Sequence, residues 1–109
     1  MNLDIQTERV AMTPEWHRII DEWVALCRHR HPQVEALEFT LRHGSERTAG
    51  EQVDAVAFAG RRSVRAHTRA EVMGVALGGA LERLDRELRV GDAVEARGPN
   101  RPIDDAPTS

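Results

Sequence analysis

Lysine and tyrosine are both absent from this 109-residue chain, cysteine occurs once, and there are only two Trp and two Phe. The lone Cys27 excludes an intramolecular disulfide framework and suits a reducing compartment. No apolar run approaches the roughly 18 residues of a membrane span. The opening Met1-Asn2-Leu3-Asp4-Ile5 lacks the basic patch and apolar block of a secretory signal. A soluble, cytoplasmic protein with no membrane partner is expected. Scarce aromatics make the core mostly aliphatic, and 40% hydrophobic against 30% charged residues is enough for one packed domain. No internal repeat is present.

Alternation and helical spacing then order the chain. Leu3 and Ile5 alternate with polar neighbours, as in a strand with one buried face. Thr13-Pro14-Glu15 is a helix start: a hydroxyl N-cap, Pro at the first helical position and an acid near the positive end of the dipole. Trp16, Ile19, Ile20, Trp23 and Cys27 form that helix's apolar stripe, and Pro32 stops it near His31. Leu37, Phe39 and Leu41 mark a second strand, followed by a polar hairpin connection over residues 43–50. The third strand, about 51–59, is ambiguous, because Val53, Ala55 and Ala57 or Val56 and Phe58 would serve as its inner face. A tight turn at Ala59-Gly60-Arg61-Arg62 leads to a fourth strand with Val64 and Ala66 on one face.

Thr68-Arg69-Ala70-Glu71 matches a capping box and predicts a second helix whose core stripe is Met73, Leu77, Ala80, Leu81, Leu84 and Leu88. Val90-Gly91 supplies a C′ glycine, so residues 1–90 read as the domain and 91–109, with three of the five prolines, as a flexible tail. The fold class is α+β in the order β-α-β-β-β-α. Its economical form is a four-stranded sheet, expected to be antiparallel, with both helices on one face.

Enzyme chemistry finds no footing. There is no nucleophile–His–acid spacing, no phosphate-cradling glycine motif and no paired metal motif, so neither a cofactor nor a small-molecule substrate is expected. Cys27-x-His29-x-His31 is the one ligand-like cluster. Residues two apart on a helix point about 200° apart, so only Cys27 and His31 would converge, two short of the four ligands of a structural zinc. Gly74, Gly78 and Gly79 each forgo roughly 1 kcal/mol of helix propensity. Gly74 and Gly78 share a face where another backbone is expected to approach, that of the first helix or of a second copy of the chain.

Net charge is −3 overall, yet residues 61–89 carry 7 Arg against 4 acids, or +3. All 15 basic residues are Arg, whose planar, permanently charged fork suits phosphate. Arg83, Arg86 and Arg89 project from the second helix, while Arg61, Arg62, Arg65 and Arg69 come from the adjoining turn, strand and cap. Together they would form a phosphate-binding surface, unless Glu82, Asp85 and Glu87 neutralise them locally.

Met1-Asn2-Leu3-Asp4-Ile5 with Val10-Ala11-Met12-Thr13-Pro14-Glu15, and then Val64-Arg65-Ala66-His67-Thr68 through Leu84-Asp85-Arg86-Glu87-Leu88 without a gap, resemble the ribosome hibernation-promoting factor and ribosome-associated inhibitor A family, also called sigma-54 modulation proteins. The resemblance covers residues 1–89. It implies a double-stranded-RNA-binding-like fold and a stress factor that binds the small ribosomal subunit through ribosomal RNA, silencing translation sterically. It also carries over Arg18, Arg28 and Arg30 on the first helix, with Arg83, Arg86 and Arg89 on the second, as RNA contacts. The chain departs from the family pattern at Val72, Gly74 and Gly78, where Asp, Tyr and Asp are usual, and at Val90-Gly91-Asp92-Ala93, where a Lys-rich stretch often follows. A short form without the long members' C-terminal dimerisation domain is expected. The alternative is a divergent domain of this fold that has lost RNA binding and works as a protein-interaction or regulatory module, a homodimer being left open.

Overall fold

The computed structural model describes residues 1–44 and 49–96. The elements follow in the expected order: β1 (Asn2–Glu8), α1 (Pro14–Arg30), β2 (Ala36–His43), β3 (Glu51–Ala59), β4 (Arg62–Ala70) and α2 (Met73–Ala96). They form an α+β fold whose single sheet has the order β1-β2-β3-β4.

The sheet is mixed, not wholly antiparallel. α1 separates β1 from β2 and carries the chain back across the sheet, so β1 and β2 pair parallel, with Ile5 beside Phe39. β2–β3 and β3–β4 are antiparallel. At the β3–β4 corner Ala59 pairs with Arg62, leaving Gly60 and Arg61 as a two-residue turn. Gly60 has φ 64°, which a glycine takes at the first position of a type II′ turn.

Pairing resolves the ambiguous third strand. Val53, Ala55 and Ala57 stand opposite Leu41, Phe39 and Leu37, and all six are buried. Small residues on β3 leave room for the larger ones on β2, so Val56 and Phe58 take the opposite, half-buried face. α1 lays Ile20, Val24 and Cys27 on this core, and Trp23 meets Phe39 edge-on at 6.4 Å. α2 adds Met73, Ala76, Leu77, Ala80, Leu81, Leu84 and Leu88. Each large side chain so buried stabilises the fold by about 1.5–3 kcal/mol relative to exposure.

Helix α1 begins and ends as its residues predict. Thr13 Oγ1 accepts from the Trp16 amide at 3.1 Å, and the His31 amide closes the last turn on the Cys27 carbonyl. Helix α2 does neither. β4 continues to Ala70, paired with Glu51, so Thr68 lies inside the strand and is not an N-cap. Its hydroxyl instead donates to the Ala76 carbonyl, tying strand to helix. At the other end α2 runs through Gly91 to Ala96, so Gly91 is no C′ glycine and the first six residues of the expected tail are helical. The rest of that tail, and residues 45–48 of the hairpin connection, lie outside the described residues.

Candidate nucleic-acid interface

The two faces of the sheet treat arginine differently. On the face away from the helices, a chain of polar side chains crosses all four strands. Arg42 on β2 donates through Nε to Glu8 on β1 at 2.9 Å and through Nη1 to Asp54 on β3; Asp54 in turn accepts from His67 Nδ1 on β4 at 2.6 Å. Hydrogen bonds to Asp54 and Glu8 push Arg42 further above its ordinary range. Partial burial pushes the Asp54 carboxyl up, but hydrogen bonds from His67 and Arg42, with their charges, outweigh it and hold Asp54 below the usual carboxylate range. Arg42 is thus enclosed by carboxylates and offers little to an external anion.

The helix side is arranged otherwise. His31, 2% exposed at the C-cap of α1, donates through Nε2 to Asp85 of α2 at 2.9 Å. Arg30 Nη1 lies 3.9 Å and Arg89 Nε 3.4 Å from the other oxygen of the same carboxylate. Asp85 therefore draws arginines from both helices to one point. Its position between Leu81 and Leu88, at four- and three-residue spacing, was the sequence signal that it borders the core. At the opposite flank of α2, Arg83 Nη1 donates to the His67 carbonyl of β4 at 3.0 Å. Arg83, Arg86 and Arg89 follow at three-residue steps and so lie diagonally as neighbours across the exposed side of the helix. The diagonal begins at the sheet edge and ends beside Arg30.

The remaining candidates are distributed around this band. β4 is an edge strand; Arg65 and Arg69 are exposed on its outer face, Arg61 is exposed in the turn, and Arg62 is half-buried on the helix side. Arg18 and Arg28 are exposed but are not drawn in. Arg28 sits about 160° around α1 from Arg30, and Arg18 lies about 18 Å back along the helix. Exposed Glu82 and Glu87 share α2 with the arginines. Cys27 and His31 are buried while His29 is exposed, and His31 is engaged by Asp85. Among the described residues no group of three or more His, Cys, Asp or Glu could hold a metal ion, and no helix is long and apolar enough to cross a membrane.

The expected close approach at the glycines is not made. A Cβ at Gly74 or Gly78 would meet nothing within 4 Å. Only Gly79 nears a neighbour, the Thr68 side chain, at ordinary contact distance of 3.5 Å.

No family model matches the chain, and no curated protein does. Solved structures do. A ribosomal subunit interface protein from Coxiella burnetii superposes with a TM-score of 0.75 at 12% sequence identity, over 85% of this chain and 99% of that one. The N-terminal domain of Protein Y from Thermus thermophilus gives 0.70 at 13% identity, over 84% and 99%. The β-α-β-β-β-α architecture expected from the resemblance to the ribosome hibernation-promoting factor family is therefore the architecture of this chain, and it is the fold of these two proteins.

Proposed function

We propose that this chain is a non-enzymatic, ribosome-associated stress factor of the cytoplasm, docking on the small subunit through ribosomal RNA and inhibiting translation by occupying space that mRNA and tRNA need. The observation that carries the reading is the arginine diagonal of α2, tied to β4 through Arg83 and to α1 through Arg89, Asp85 and Arg30. Guanidinium groups along such a line suit a phosphate track, and contacts of this kind position a protein without reading sequence. A-form RNA is recognised largely by shape, which suits a rigid two-layer domain. Arg65 and Arg69 extend the cationic surface around the β4 edge and Arg61 its turn, while Arg62 is half-buried with its Nε and Nη2 shielded from solvent. The fold likeness to a ribosomal subunit interface protein supports the same reading.

Cosedimentation with purified small subunits tests it. Binding is expected at about 50 mM salt and should weaken steeply as salt rises, by nearly one unit of log slope per phosphate engaged. Absence of binding at low salt rejects the proposal. A protein-interaction module of the same fold is the second reading, favoured by Val72 and Val75, which stand exposed at the start of α2.

A further inference from the structure

The sheet ends in two edge strands, β1 and β4, and among the described residues neither has a strand on its outer side. On the face away from the helices β1 carries Asn2, Asp4, Gln6 and Glu8, and β4 carries Ser63, Arg65, His67 and Arg69. Asp4 stands beside Glu38 of β2, which doubles the acid there, while Glu8 is shared with Arg42. Arg65 and Arg69 face Val56 and Gln52 of β3, neither of them a carboxylate. Charged side chains on an edge strand discourage pairing with another sheet. Here each edge is guarded against its own kind alone. β1 against β1 would set acid against acid, and β4 against β4 arginine against arginine, an unfavourable arrangement across strands. β1 against β4 sets acid against arginine.

Direction and register agree with that pairing. β1 and β2 are parallel and the next two pairs antiparallel, so β1 and β4 point the same way. A second copy in the same orientation therefore continues the sheet, its β4 parallel to β1. Asp4 and Glu8 are four residues apart, as are Arg65 and Arg69. With Gln6 beside His67, Asp4 falls beside Arg65 and Glu8 beside Arg69. On the helix side the same register brings Leu3, which is 38% exposed, beside Val64, and Ile5 beside Ala66. A slip of two residues either way forfeits both arginine pairs, and a slip of one sets charged side chains beside apolar ones. Two strands at about 4.8 Å each occupy about the width of one packed helix, so the sheet and the helix layer extend together. One group stands in the way. The His67 carbonyl, on the outer side of β4, already accepts from Arg83, and that side chain swings aside on pairing.

We infer that copies of this chain associate head to tail, the β1 edge of one pairing in parallel with the β4 edge of the next. The inference stands on the chemistry of the two edges and does not require the RNA reading, although Arg65 and Arg69 belong to both surfaces. A contact between two different edges does not close as a two-fold dimer; it leads to an open series or a ring. Sedimentation equilibrium of the full chain at low salt should show a mean mass that rises past the dimer with concentration. Added salt should return it towards the monomer. Asp4→Arg and Arg65→Glu, each at an exposed position, should separately weaken association at least about fivefold, with the melting temperature nearly unchanged. One chain carrying both substitutions should associate again as wild type does, because the pair is restored with its signs exchanged. Arg83→Ala uncovers the His67 carbonyl and should tighten association, the opposite of its expected effect on RNA binding. A wild-type chain that stays monomeric at about 0.5 mM in low salt, on the scale of the weakest specific contacts, overturns the inference, as does a mass that levels off at the dimer. So does a folded double variant that fails to regain association.

Discussion

Arg42 and Arg86 sit on opposite sides of one small domain and have opposite prospects. On the open face of the sheet, Arg42 is held between Glu8 and Asp54, with His67 completing the row. On the helix layer, Arg86 lies in a diagonal whose two ends are fastened elsewhere, by the His67 carbonyl and by Asp85. A count of arginines does not distinguish the two cases. What separates them is the register that sets each residue opposite its neighbours: pairing of β1, β2 and β3 encloses Arg42 between two carboxylates, whereas helical spacing sets Arg83 and Arg89, with the single carboxylate of Glu82, beside Arg86. On the proposed reading, anionic ligands dock at the helix side and the β4 edge, away from β1 and β2.

The contrast between faces can be broken most severely at β2. Phe39 points into the helices and Thr40, its neighbour, away from them. Phe39→Ala should cost about 3–5 kcal/mol of unfolding free energy, and Thr40→Ala within about 0.5 kcal/mol; chemical denaturation measures both. Next in size is the junction on the helix side. Asp85→Ala deprives buried His31 of an acceptor and leaves Arg30 and Arg89 facing one another, so a loss of about 1–3 kcal/mol is expected. Gly78→Ala acts in the other direction: its Cβ enters open space, and the melting temperature should rise, for a gain of about 0.5–1 kcal/mol.

The smallest effect belongs to the open face and depends on pH. Asp54 titrates below its ordinary value when folded, so its contribution to stability is complete above that value and vanishes as pH falls through the depressed folded one. With Asp54 partly exposed, this amounts to less than about 1 kcal/mol. Asp54→Asn should therefore be slightly less stable than wild type at neutral pH and indistinguishable from it in strong acid. Urea midpoints across the acid range would show the two curves converge.

Much of this architecture is legible in the residues themselves. Thr13-Pro14 and Pro32 bound α1, and the alternation of Leu37, Phe39 and Leu41 gives β2 its inner face, because these are local effects. What is not legible depends on distant partners. Val53 and Val56 are equally good inner residues until Leu41 and its neighbours are placed across from β3. Thr68-Arg69-Ala70-Glu71 is a sound capping box in isolation, yet pairing with Glu51 extends β4 through it. The parallel β1–β2 pair follows from the intervening helix and not from the composition of either strand. In the candidate site, Arg83, Arg86 and Arg89 were readable from spacing alone. Asp85 borders the core by its spacing from Leu81 and Leu88, but its gathering of Arg30, Arg89 and His31 is not legible locally, since His31 is 54 residues away.

Salt-dependent binding to small ribosomal subunits, compared between Arg83→Glu with Arg86→Glu and Arg42→Gln, addresses the difference between the two faces directly. The paired change on α2 should abolish most binding and flatten the salt dependence by about two units of log slope, with the melting temperature nearly unchanged, while Arg42→Gln should bind as wild type does. Equal losses from both variants, or full binding by the α2 variant, would contradict the assignment of the arginine diagonal as the RNA-contacting surface.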